Sequence, residues 1–198
     1  ASVTTGTQNT LIGGLAGDAL TTGSLNVAVG YGALSTDDLG SQSVAIGRNA
    51  LGAQNYATAT NSVNTAVGYE AGLSITTGIE NTFVGGQAGD ALTDADFNTA
   101  VGFSALTADT LGSSSVAVGT AALQAQNFTT ATATYNTAVG FSAGKAVTTG
   151  TQNTLIGGLA GDAQTTSSGN TALGYASLTT NVLGSNSVAI GRNALNAQ

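Results

Sequence analysis

The chain has 198 residues, of which 41% are hydrophobic and only 5% aromatic, with 29 glycines and no proline, cysteine or histidine. The formal charge of −7 leaves only Arg48, Lys145 and Arg192 as cations, too few to neutralise a run of phosphates, which argues against nucleic acid and against contact with an anionic membrane. Without Cys or His there is no thiolate metal site and no imidazole base, so the composition points away from an enzyme and from a bound metal or cofactor.

Self-similarity then dominates the reading. The first element, Asn9-Thr10-Leu11-Ile12-Gly13, has the form small polar, β-branched, apolar, aliphatic, Gly. The same form recurs down the chain with its glycine at Gly30, Gly47, Gly68, Gly85, Gly102, Gly119, Gly140, Gly157, Gly174 and Gly191. The spacings are 17, 17, 21 and 17 residues, then 17, 17, 21, 17, 17 and 17, a super-repeat of 72 residues holding four coils. Residues 4–19 return unchanged at 148–163, and Ser43 to Leu51 return at Ser187 to Leu195, which marks the array as a product of duplication.

Counting from each anchoring glycine, position −1 is Ile, Val or Leu and position −3 is Thr or Val, a period of two that predicts a strand. Position −2 is Ala in most coils, with Leu11, Phe83 and Leu155 as exceptions, so one strand face is bulky and the other mostly small. Position −4 is Asn, or Ser at Ser43, Ser115 and Ser187, and stacking predicts an Asn/Ser ladder bonded from coil to coil or to turn backbone. Position +3 is Ala except at Ser177. Gly23, Gly40, Gly78, Gly112, Gly150 and Gly184 stand at +10, read as turn sites that tolerate positive φ. Leu20, Ile75, Leu92 and Val147 at +7, and Leu39, Leu111 and Leu183 at +9, are predicted to point inward from a second extended edge.

These elements define an all-β fold, a parallel β-roll or β-solenoid of eleven stacked coils forming one array over residues 1–198. No single coil can bury its apolar face, whereas stacking at about 4.8 Å per coil gives a continuous core and a rod roughly 50 Å long.

The segments NTAVGYEAG at Asn64, NTAVGFSAL at Asn98, NTAVGFSAG at Asn136 and SVAIGRNAL at Ser43 and Ser187 resemble the head repeats of trimeric autotransporter adhesins. They equally resemble the NTAVGY-type repeats of bacteriophage tail fibres and bacterial surface fibres. The resemblance covers essentially the whole chain. It implies a left-handed roll, a homotrimer, an extracellular place on a cell or virion, a longer parent fibre, and a host-surface protein or glycan as partner.

Candidate sites are few. The most distinctive local feature is the four-residue insertion of the 21-residue coils, with Asn55, Tyr56, Thr58 and Thr60 in one copy and Asn127, Phe128, Thr130 and Thr132 in the other, read as loops that decorate one edge and offer interaction sites. The carboxylates at Asp37 and Asp38, with Asp109 and Asn181 aligned to Asp37, read as solvated turn charges. Residues 13–18, recurring at 85–90 and 157–162, read as a structural turn, because one carboxylate per 72 residues is too few for a calcium cage. Tyr31, Tyr69, Phe103, Phe141 and Tyr175 follow the anchor on alternate coils and read as covering the roll or packing between chains, with a carbohydrate-stacking stripe as the other possibility. The small Ala/Gly face suggests that three rolls approach closely. The overall expectation is a structural and adhesive fibre segment. Its alternatives are a filament-forming solenoid without a receptor, or an ice-binding solenoid, the latter weakened because the paired threonines (such as Thr21 and Thr22) skip the coils anchored at Gly47 and Gly119.

Overall fold

A computed structural model describes residues 3–180 and 184–196 and shows an all-β array. Leu183 and Asn181 lie outside the described residues. Eleven three-residue strands, from Thr10–Ile12 and Val27–Val29 through to Thr171–Leu173 and Val188–Ile190, pair in strict chain order as one parallel sheet. The register is invariant: Ala28 faces Ala45, Ala45 faces Ala66, and Ala66 faces Phe83, so equal positions stack on equal positions through both the 17- and the 21-residue coils. Each strand covers positions −3 to −1, where β-branched side chains suit the pleat.

The orientation of the strands corrects the sequence reading of the small face. Ala28, Ala45, Ala66, Ala100, Ala117, Ala138 and Ala172 are fully buried, so position −2 points into the coil. The bulky face looks outward, with Ile46 and Val84, on interior strands, each 37% exposed. The alanine face is therefore closed to any partner chain, because it points into the coil interior and packs against the coil's own other walls.

Those walls alternate in volume. Where position +4 is Leu (Leu34, Leu51, Leu106, Leu123, Leu178), it fills the interior across from a −2 alanine. Where a large side chain stands at −2, the neighbouring +4 sites are glycine. A Cβ on Gly72 would lie 2.7 Å from Phe83, and one on Gly89 only 2.4 Å from it; Gly144 and Gly161 stand in the same relation to Leu155, each at 2.8 Å. One large side chain thus occupies the space that two adjacent coils leave open. Leu20, Ile75, Leu92 and Val147 at +7 are buried as anticipated, whereas Leu39 and Leu111 at +9 are only half-buried. In the third copy Gln164 takes the place of Leu20 and Leu92, and neither amide atom has a hydrogen-bond partner among the described residues.

The Asn/Ser ladder forms, and it runs inside the array. Each Asn Oδ1 accepts from the backbone N–H of the next rung, as from Ser115 to Asn98 at 2.9 Å and from Asn98 to Asn81 at 2.9 Å. Each Nδ2 donates across the coil to the +10 carbonyl, as from Asn98 to Gly112 at 2.9 Å. One side chain therefore ties coil to coil and strand to turn. Replacing Asn98 by Ala leaves the buried Ser115 N–H and Gly112 carbonyl without these partners. Chemical denaturation is expected to show a loss of about 2–6 kcal/mol, at roughly 1–3 kcal/mol for each orphaned group.

The +10 glycines serve a purpose other than the one their residue type suggests. Gly23, Gly40, Gly78, Gly112 and Gly150 do not adopt positive φ. They are small because a Cβ on Gly23 would sit 2.1 Å from the Gly40 carbonyl oxygen, and one on Gly40 2.0 Å from Asp37. Left-handed backbone instead falls at +2, +4 and −5, where Glu70 (φ 55), Leu106 (φ 56) and Phe97 (φ 60) are examples.

Candidate functional site

The insertions of the 21-residue coils are partly built into the fold. Asn55, Thr58, Asn127 and Thr130 are exposed, while Thr60 and Thr132 are half-buried in two short strands, Thr60–Asn61 and Thr132–Ala133. These strands pair in parallel with Gly40–Ser41 and Gly112–Ser113 of the coil before. Tyr56 and Phe128 turn inward and are only 5% and 7% exposed, so the aromatic residues assigned to a contact loop are core residues. The Tyr56 hydroxyl donates to the Gly78 carbonyl at 2.7 Å and accepts from Asn64 Nδ2 at 3.2 Å. Asn55, Thr58, Asn127 and Thr130, with the exposed alanines beside them, remain available to a partner, and Val63 and Tyr135 at the end of each segment are exposed as well.

Beneath the insertions lies a buried polar cluster that sequence reasoning did not find. Gln54 Nε2 donates to Asp37 Oδ2 at 2.6 Å and to Ser43 Oγ at 2.9 Å, while Gln54 Oε1 accepts from Asn64 Nδ2 at 3.0 Å. The Gly40 N–H donates to Asp37 Oδ1 at 2.9 Å. The second copy repeats this, with Gln126 donating to Asp109 at 2.6 Å and to Ser115 at 2.8 Å, and Asn136 donating to Gln126 at 2.8 Å. Ser43 and Ser115 interrupt the Asn ladder, and Ser62 and Thr134, supplied by the insertions, bond to those serines there. Asp37 and Asp109 are therefore not solvated turn charges. Both are fully buried, because +7 points inward even in the coils where it is polar. The signal was present in the pairing of Leu at +4 with Asp, Asn or Gln at +7, against Gly at +4 with Leu, Ile or Val at +7 in every coil but that of Gly161 and Gln164.

Burial pushes the Asp37 carboxyl above the usual carboxylate range, outweighing the hydrogen bonds from Gln54 and Gly40 that act the other way. Burial raises Asp90 and Asp162 as well. A carboxyl with a raised pKa binds its proton more tightly in the folded chain than in the unfolded one. Its stabilising contribution is complete below the ordinary value and is lost as pH rises through the raised one. The melting temperature is accordingly expected to increase as pH is lowered from neutral toward about 4, with Asp37→Asn flattening that slope. Thermal melts by circular dichroism across the interval check this, and a melting temperature that falls on acidification contradicts it.

Outside, the sheet presents two columns, a mixed one of Thr or Val at −3 and an apolar one of Val, Ile or Leu at −1. The turn that begins at each anchor carries the +1 residues onto the flank. Tyr31, Tyr69, Phe103, Phe141 and Tyr175 stand there 48–61% exposed, so the rings do not cover the roll of their own chain. Arg48 lies over the Tyr69 ring at 5.6 Å and donates to its hydroxyl at 3.2 Å, and Arg192 lies over Tyr175 at 5.8 Å. A shallow surface cleft between Thr36, Asn49, Gly52 and Leu73 contains no ionisable side chain. Among the described residues no three His, Cys, Asp or Glu side chains converge as a metal site, and no helix is long and apolar enough to cross a membrane.

This architecture places the chain in the class of parallel β-solenoid repeat proteins. No protein-family model, curated protein or solved structure matches it.

Proposed function

We propose that the chain is a structural and adhesive repeat segment of an extracellular homotrimeric fibre, which spans distance and attaches to a protein or glycan on a cell or host surface. The observation that carries this reading is the unbroken outward face of the eleven-stranded sheet, lined by Thr or Val at −3 and by Val, Ile or Leu at −1. A continuous apolar column at −1, flanked along its whole length by Thr and Val, marks an interaction surface. The interior, by contrast, is committed to packing and to the Asn ladder. Three copies meeting through the outward columns replace the alanine-face contact that the sequence suggested. Sedimentation analysis of the purified segment is expected to show a trimer, and a stable monomer at micromolar concentration overturns that assembly. Attachment is tested separately by binding of the labelled segment to whole cells.

A second reading draws on the −3 column alone. Thr65, Thr82 and Thr99 occupy consecutive rungs, as do Thr137, Thr154 and Thr171, and outward threonines in a regular array can order water. Val27, Val44 and Val116 interrupt the column, and Val188 ends it. Thermal hysteresis in a freezing assay favours this ice-binding alternative; its absence removes it.

A further inference from the structure

The aromatic column has a period of its own. Coils anchored at Gly30, Gly68, Gly102, Gly140 and Gly174 carry Tyr31, Tyr69, Phe103, Phe141 and Tyr175, and the coils between carry Arg48, Gly86, Thr120 and Gly158. Because every strand pairs in register with the next, the rings recur every second rung, about 9.6 Å apart along the stack. The glycines matter to the placement: the Cβ site of Gly14 is 3.4 Å from the Tyr31 ring, and those of Gly86 and Gly158 stand 3.4 and 3.5 Å from Phe103 and Tyr175. Each of those rings leans over a bare backbone rung instead of standing against a side chain. The two guanidiniums beside Tyr69 and Tyr175 add hydrogen-bond donors next to a ring.

We propose that this column is a stacking platform for a neutral, extended β-1,4-linked glycan lying along the stack, with one disaccharide per two coils. In such a chain alternate sugars present the same face, and the disaccharide length nearly equals the two-rung spacing. Every second sugar meets a ring, while the sugar between lies over Gly, Thr or Arg. The net charge of −7 disfavours a polyanionic chain and leaves a neutral one. Carbohydrate stacking uses the apolar C–H face of the sugar against the ring, so it needs exposed rings at fixed intervals more than it needs a pocket. The inference rests on the attachment reading above and supplies a ligand class for it.

The test is depletion of the purified chain by insoluble cellulose and chitin, with starch as the α-linked control, and titration with soluble cello- and chito-hexaose. Binding to the β-1,4 polymers but not to starch is expected. The triple substitution Tyr69→Ala, Phe103→Ala and Phe141→Ala, all at exposed sites, is expected to weaken it by tenfold or more, at roughly threefold per ring, with the circular dichroism spectrum unchanged. Phe103→Ala combined with Thr120→Phe keeps the ring count and moves one ring by a single rung, and it is expected to bind no better than Phe103→Ala alone. Equal retention on starch, or full binding by the shifted variant, overturns the proposal. No glycan binding at all by the parent chain also overturns it, and a change of sedimentation in the triple variant then identifies the column as an interface between copies. Attachment to cells that survives the triple substitution overturns the glycan assignment while leaving the attachment reading intact.

Discussion

Gly102→Ala is expected to cost about 3 kcal/mol or more and to split the single unfolding transition into two, while the same change at Gly191 costs only about 1–3 kcal/mol. Both glycines adopt φ values that residues with a Cβ rarely reach, 131° and 113°. They differ in what lies beside them. A Cβ on Gly102 would stand 2.6 Å from the carbonyl carbon and oxygen of Gly119 and 2.9 Å from the Thr120 nitrogen, all backbone atoms of the next coil. Nothing lies within 4 Å of the same site on Gly191. The terminal site therefore reports backbone strain alone, and the central one reports strain plus loss of contact between coils. In a stacked array each coil touches only its neighbours, so a defect at one junction leaves the coils on either side to unfold as separate blocks. Urea denaturation followed by far-ultraviolet circular dichroism checks both parts. Equal costs at the two sites would show that close stacking of the anchors contributes nothing.

The coil boundaries and the strands were legible because a repeated anchor leaves little freedom: once Gly13, Gly30 and Gly47 are aligned, positions −3 to −1 coincide with Thr10–Ile12, Val27–Val29 and Val44–Ile46. The inward direction was less legible. The usual expectation puts the bulk of Val67 and Val101 in the core and leaves the alanines at the surface, and the array does the reverse, since its core is filled from the +4 and +7 positions. Asp37 was misread for a related reason. An acidic residue in a turn is normally solvated, and only its alignment with Leu20 and Ile75 reveals that the position points inward. Tyr56 and Phe128 stood within an insertion, and insertions are ordinarily exposed. Here the added residues supply Ser62 and Thr134, which bond to Ser43 and Ser115 where the Asn ladder is interrupted, and a buried aromatic side chain, Tyr56 or Phe128, in each copy.

The volume exchange between positions −2 and +4 predicts a rescue. Phe83→Ala is expected to destabilise the array by about 3–5 kcal/mol, because the ring is fully buried between Gly72 and Gly89 and the coil cannot collapse into the void. Gly89→Leu alone is also destabilising, since its Cβ would lie 2.4 Å from the Phe83 ring. Backbone conformation does not forbid the leucine: Leu34, Leu51, Leu106 and Leu123 occupy the equivalent site with φ of 48–56°, close to the 60° of Gly89. Combining the two changes reproduces the pairing of Ala100 with Leu106 in the next coil. The double variant is therefore expected to be more stable than either single one, with a favourable coupling of about 1–3 kcal/mol in the cycle. It falls short of the parent chain because Gly72, on the other side of the ring, remains unfilled. Additive losses would mean that the large side chain and the glycine are independent. In that case the 72-residue rhythm would not arise from filling the core, since the exchange at Leu155 between Gly144 and Gly161 rests on the same geometry.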